Sequence, residues 1–168
     1  MASANMSTSP GQPLPPTRRR ILQQQFEHGT KSAAKNDFKY AENMFTLCVA
    51  GDPGNPIYTK TFLETQSRKY SNNKKGSKLA SLSGMGHKAS IKKASVQKDW
   101  PGVIKAGLEM LKLNPWDVSA LLAMANACDN LEFADCQLLY LKNALDANPK
   151  DTSASILTHG RRRRCQDS

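Results

Sequence analysis

The chain has 168 residues, 39% hydrophobic and 23% charged, with a mean hydropathy of −0.57 and a formal net charge of +10. That is enough for one domain with tails, and too little apolar weight for every segment to be packed. No run approaches the roughly 18 apolar residues of a membrane helix, and Met1 to Pro16 lacks the apolar centre of a secretory signal, so no membrane partner is expected.

Residues 1–17, small, polar and proline-rich, read as a disordered tail, because they bury too little to offset ordering entropy. A first helix is predicted from about Arg18 to Lys35, with Ile21, Leu22, Phe26, Gly29 and Ala33 on one face. Asn36-Asp37 ends it and caps a second helix, Phe38 to about Ala50, with Ala41, Phe45 and Cys48 inward and Gly51 and Pro53 as the stop. Asn55-Pro56 opens a third, reaching about Ser71, with Ile57, Phe62, Leu63 and Tyr70 as inward candidates.

A flexible basic loop is expected over about 72–86, since Asn72 to Lys78 and the glycines at 84 and 86 punctuate the chain. A lysine-rich fourth helix follows, His87 to Gln97, whose apolar weight is Ile91, Ala94 and Val96. Asp99 caps a fifth from Trp100 to Leu113. The sixth spans Asp117 to Asn130 and the seventh Phe133 to Ala147. Residues 151–168, with Arg161 to Arg164, read as a basic tail, disordered or truncated. The fold class expected is all-α.

Leu113-Asn114-Pro115-Trp116-Asp117 returns as Leu145-Asp146-Ala147-Asn148-Pro149-Lys150-Asp151 in its Asn-Pro-x-Asp core, with the two prolines 34 residues apart (149 − 115). Between them run Leu121-x₂-Met124-Ala125-x₂-Cys128, then Gln137-x₃-Leu141, Ala144 and Pro149. Upstream, Gly29, Asp37-Phe38, Ala41-x₃-Phe45, Cys48 and Pro53 follow the same plan, and Asp99-Trp100, Met110 and Pro115 follow it in part, with Val103 and Gly107 departing from it. This pattern resembles the tetratricopeptide repeat (TPR) family. The resemblance implies a helical-hairpin solenoid of about three imperfect repeats over 18–150. Pro53 and Pro115 lie 62 residues apart, and the 28 beyond one repeat fall on the third helix and basic loop.

The resemblance further implies a non-enzymatic scaffold that holds a peptide or helix of another protein in a concave groove. By position the groove would be lined by Phe26, Thr30, Ala33, Ser119, Leu122, Asn126 and Asp129. Phe26 and Thr30 stand where a chaperone-binding subclass carries lysine and asparagine, so a terminal-carboxylate clamp is not expected. With no repeat evident after Pro149, the last helix is expected to be uncapped, which would suit self-association.

Charge adds an alternative. Residues 60–98 hold ten Lys/Arg against one acid, Glu64. Lys74, Lys75, Lys78, Lys88, Lys92 and Lys93 form a candidate basic patch for RNA or DNA. Against that stand the few nearby aromatics for stacking. The cysteines, Cys48, Cys128, Cys136 and Cys165, lack metal-ligand spacing, and reduced thiols suit a cytoplasmic setting. His28, His87 and His159 have no nucleophile and orienting group beside them in sequence. No catalytic residue, metal or cofactor is expected.

Overall fold

Side-chain oxygens at helix starts decide where most of the elements begin. Among the described residues seven helices form: α1 (Pro16–Ala34), α2 (Phe38–Gly51), α3 (Pro56–Lys69), α4 (Ala80–Val96), α5 (Trp100–Leu113), α6 (Val118–Asn130) and α7 (Ala134–Ala147). The structure, a computed structural model, describes residues 12–151, 154 and 155, and there is no strand among the described residues. Asp37 accepts from the Tyr40 amide, Asn55 from Ile57 and Tyr58, Asp99 from Gly102 and Asp117 from Ala120. Each satisfies a donor that the first helical turn leaves unpaired. α1 begins at Pro16, two residues before the expected Arg18, because proline suits the first helical turn.

The largest departure from expectation is α4. It starts at Ala80, so the basic loop is confined to 70–79, and residues 80–86 are helical, not loop. Two mid-helix glycines cost roughly 1 kcal/mol each in propensity. Packing overrides that at Gly84, which is buried where a Cβ would lie 2.8 Å from the Met110 sulfur on α5.

Three helical hairpins, α1–α2, α4–α5 and α6–α7, carry the same turn. Asn36, Lys98 and Glu132 have φ of 62°, 55° and 62°, at spacings of 62 and 34 residues. The residue after each donates its amide back to the carbonyl five positions earlier: Asp37 to Ser32, Asp99 to Ala94, Phe133 to Cys128. That is the left-handed C-terminal motif, which ties off the last carbonyls of a helix.

The joints between hairpins repeat as well. The amides of Asp52, Asn114 and Asn148 each bond a carbonyl four residues back, and those of Asn55, Asp117 and Asp151 bond the carbonyls of Asp52, Asn114 and Asn148. The side chains of Asn55, Asp117 and Asp151 then cap Tyr58, Ala120 and Ala154. A shift of 62 therefore carries α1–α2–α3 onto α4–α5–α6, and a further 34 reaches a helical turn at 154–155. The buried residues of α3, Thr59, Phe62, Leu63, Thr65 and Gln66, fall on Leu121, Met124, Ala125, Ala127 and Cys128 of α6, all buried. α3 has the cap and inner face of a hairpin's first helix, and loop 70–79 stands where a second helix would follow.

Large and small residues trade places between the copies. Gly29 accommodates the Phe45 ring, and a Cβ there would lie 2.7 Å from it. In the second copy Gly107 replaces Phe45, and Met124 of α6 fills the space against it.

The copies share one core, which runs from Ala33 to Ala154. α3 joins them. It packs on α2, where Lys69 Nζ lies 2.7 Å from buried Glu42 and Gln66 donates to the same carboxylate. It also runs alongside α7, with Thr59 Oγ1 3.6 Å from Cys136 Sγ, and ends where the Tyr70 hydroxyl donates to the Lys112 carbonyl. Two residues expected on inner faces, Ile21 and Ile57, are 49% and 63% exposed, and Val96, part of the apolar weight of the fourth helix, is 77% exposed. Each lies in a helix whose packed face is filled by other residues. Beyond α7, Ala154 is fully buried in the core. Residues 1–11 of the expected N-terminal tail and 152, 153 and 156–168 of the C-terminal one lie outside the described residues.

Candidate functional site

The seven groove residues divide into two sets. On α1, Phe26 is half-buried between the rings of Phe45 and Tyr58, at centroid distances of 5.6 and 5.1 Å. Ala33 is buried, and its carbonyl accepts from the Arg68 guanidinium of α3. Thr30 is exposed and donates back to the Phe26 carbonyl. Phe26 and Ala33 therefore meet side chains of α3 rather than open space. α3, capped by Asn55 directly after α2, packs on α2 and reaches over to α1 with Tyr58 and Arg68.

On α6, Ser119 and Asn126 are exposed and Leu122 and Asp129 half-buried, along one stripe. Leu122 leans on the core, and Ser119 donates to Asp117. α1 and α6 are not packing neighbours, so the structure does not gather the two sets into one groove.

The basic residues gather better. Lys75, Lys78 and Lys88 line a cavity of about 490 Å³ with Asn73, Ser77, Ser81, Asn114 and Asp117. Lys74 Nζ sits 5.8 Å from the Trp116 ring. Lys92 and Lys93 stand apart on the exposed side of α4. The loop between α3 and α4 turns through positive φ at Ser71, Asn72, Lys74 and Gly76. Asn73 holds it, accepting from the amides of Lys75 and Gly76.

Asp117 ties this region together, and sequence reading placed it only at the start of the sixth helix and in the repeated Asn-Pro-x-Asp. Its carboxylate, 9% exposed, accepts from the Ala120 amide at 2.9 Å, the Ser119 hydroxyl at 2.6 Å and Lys88 Nζ at 2.8 Å. Burial works to raise its pKa; the hydrogen bonds from Lys88, Ser119 and Ala120 outweigh burial and hold it below the usual value. The Asp117 carboxylate thereby offsets the Lys88 charge within the basic patch.

Sequence reading also missed a furrow between α3 and α7. Its two connected hollows, about 430 and 350 Å³, share Lys60, Leu139 and Lys142. Nothing in the sequence pairs α3 with α7, because only the fold brings Ile57 and Leu138 to one wall.

Burial pushes the Cys48 thiol up to about 12 and the Cys136 thiol to about 11, and raises Cys128 further. All three are free thiols. Among the described residues no group of three or more His, Cys, Asp or Glu is placed to hold a metal ion, and no helix is long and apolar enough to cross a membrane. No protein-family model matches the chain, and a search of curated proteins returns no significant match.

Proposed function

We propose that this protein is a TPR-like helical-hairpin scaffold that binds another protein through its helical surfaces. The observation that carries the reading is the recurrence of one turn at Asn36, Lys98 and Glu132 and one capped joint at Asn55, Asp117 and Asp151. Repeated hairpins expose repeated helix faces, and their characteristic use is to present an extended surface to a partner. On this reading the α6 stripe of Ser119, Leu122, Asn126 and Asp129 is the accessible part of the groove, and α3 covers the α1 part.

The test is affinity capture from the source cell on immobilised wild type and on Ser119→Arg/Asn126→Arg. Both positions are exposed, so melting temperatures should agree within about 2 °C. A protein retained by wild type and lost on the variant supports the reading. Identical retention on both removes α6 from it.

A second reading rests on the exposed lysines of 74–93. In that case nuclease treatment empties the capture, and binding falls steeply with salt and with Lys74, Lys75 and Lys78.

A further inference from the structure

The internal duplication supplies a control for what an outward helix face should look like. α1 and α4 are equivalent first helices, 62 residues apart, each packed against the next helix of its own hairpin. On α1 the exposed face is Arg20, Gln23, Glu27 and Ala34, which is ordinary solvated surface. The equivalent positions on α4 are Leu82, Met85, Ala89 and Val96. Leu82, Met85 and Val96 are 74%, 66% and 77% exposed. The fold demands no apolar residues there, because α1 has none larger than alanine.

The four residues fall at i, i+3, i+7 and i+14, within about 60° of arc at 100° per residue. They lie opposite the packed face of Ala80, Gly84, Ile91 and Ala94. α4 is therefore apolar on two sides. Lys92 and Lys93 flank the outer stripe on either hand, both exposed, and there is no acid between Glu64 and Asp99.

We propose that this stripe is the docking seam for an acidic amphipathic helix of a partner protein. This deepens the scaffold reading above and rests on it. Two features select the occupant. The narrow arc, apolar at i, i+3, i+7 and i+14 with Lys92 at i+10, has the width of one side of a helix pair, whereas a helix lying in a membrane surface needs a broader apolar face. Residues 71–99 contain no aromatic. The flanking lysines, with no acid on α4 itself and no ion pair among the described residues, set the sign of the partner's flanks. They also disfavour a second copy of the same seam, which would bring lysine against lysine.

The experiment selects a displayed library of amphipathic helices, apolar at a and d and randomised among Glu, Gln and Lys at e and g. Selection is run on the full chain and on Leu82→Glu/Met85→Glu, whose folding is checked by circular dichroism. Expected are net-acidic helices, enriched at least about tenfold on wild type over the variant. A synthetic peptide of the leading clone should lose at least about tenfold in affinity on Lys92→Glu/Lys93→Glu. Equal enrichment on wild type and the Leu82/Met85 variant overturns the seam. If those helices are instead lost on Ser119→Arg/Asn126→Arg, the scaffold reading stands without it. No enrichment on any version counts against both. Retention on phosphatidylserine vesicles or RNA without helix enrichment assigns the stripe and its lysines to a membrane or nucleic acid and overturns the proposal.

Discussion

Asp117 satisfies an amide, a hydroxyl and an ammonium at once, so its loss leaves three donors without a partner. Asp117→Ala should cost about 1–3 kcal/mol in urea unfolding at pH 7, the sum of a lost cap and a lost ion pair. The pH dependence has a definite sign. The native carboxyl is held below its ordinary value, so its contribution is complete above the unfolded value of about 3.9 and disappears as pH falls through the lower native value. The stability gap between wild type and Asp117→Ala should therefore narrow in the acid limb; a gap constant from neutral pH to about 2 would show that the carboxylate contributes nothing there. The cysteines lead to a labelling prediction. In a Cys165→Ser background, Cys48, Cys128 and Cys136 should resist a thiol reagent at about pH 8 until denaturant is added, because burial keeps them protonated. Rapid labelling of the native chain would count against that packing.

α4 shows how far helices can be read without the fold. α2, α5, α6 and α7 were legible to within a residue or two, because Asp37, Asp99, Asp117 and the Asn-Pro joints are local signals with local causes. α4 was not, because Gly84 and Gly86 read as loop, and the contact that tolerates Gly84 comes from Met110 on another helix. Ile21, Ile57 and Val96 misled for a related reason, since an apolar residue at helical spacing can point outward when the inner face is already filled. The candidate site suffered most. Phe26 and Ala33 could be placed on the correct helix but not under α3, because α3's equivalence to α6 emerges only from matching caps at Asn55 and Asp117. The two glycines now separate cleanly. Nothing lies within 4 Å of where a Cβ would sit at Gly86, so Gly86→Ala should stabilise by about 0.5–1 kcal/mol through helix propensity alone. Gly107→Ala, driven into Met124, should destabilise by about 1–3 kcal/mol. Thermal melts of the two variants should move in opposite directions; a fall in both would return 80–86 to loop.

Whether the molecule behaves as a string of hairpins or as one body depends on α3. In a linear array each unit touches only its neighbours, and distant units unfold semi-independently. Here α3 packs on α2 at Glu42 and on α7 at Cys136, and reaches the α5–α6 joint through Tyr70, so it bonds both halves of the duplication. Those contacts are buried or part-buried and long-range, the kind that couples unfolding. The chain carries its own reporter, because its two tryptophans, Trp100 and Trp116, both belong to the second half. Phe45 belongs to the first, fully buried against Gly29 and Phe26. Phe45→Ala should cost about 3–5 kcal/mol. If α3 joins the halves, that loss moves the tryptophan fluorescence transition by as much as the far-ultraviolet dichroism transition, although no tryptophan lies in the damaged half. Fluorescence that stays at the wild-type midpoint while helicity is lost earlier would mean that the halves melt separately, and that α3's contacts with α7 and the α5–α6 joint are too weak to couple them.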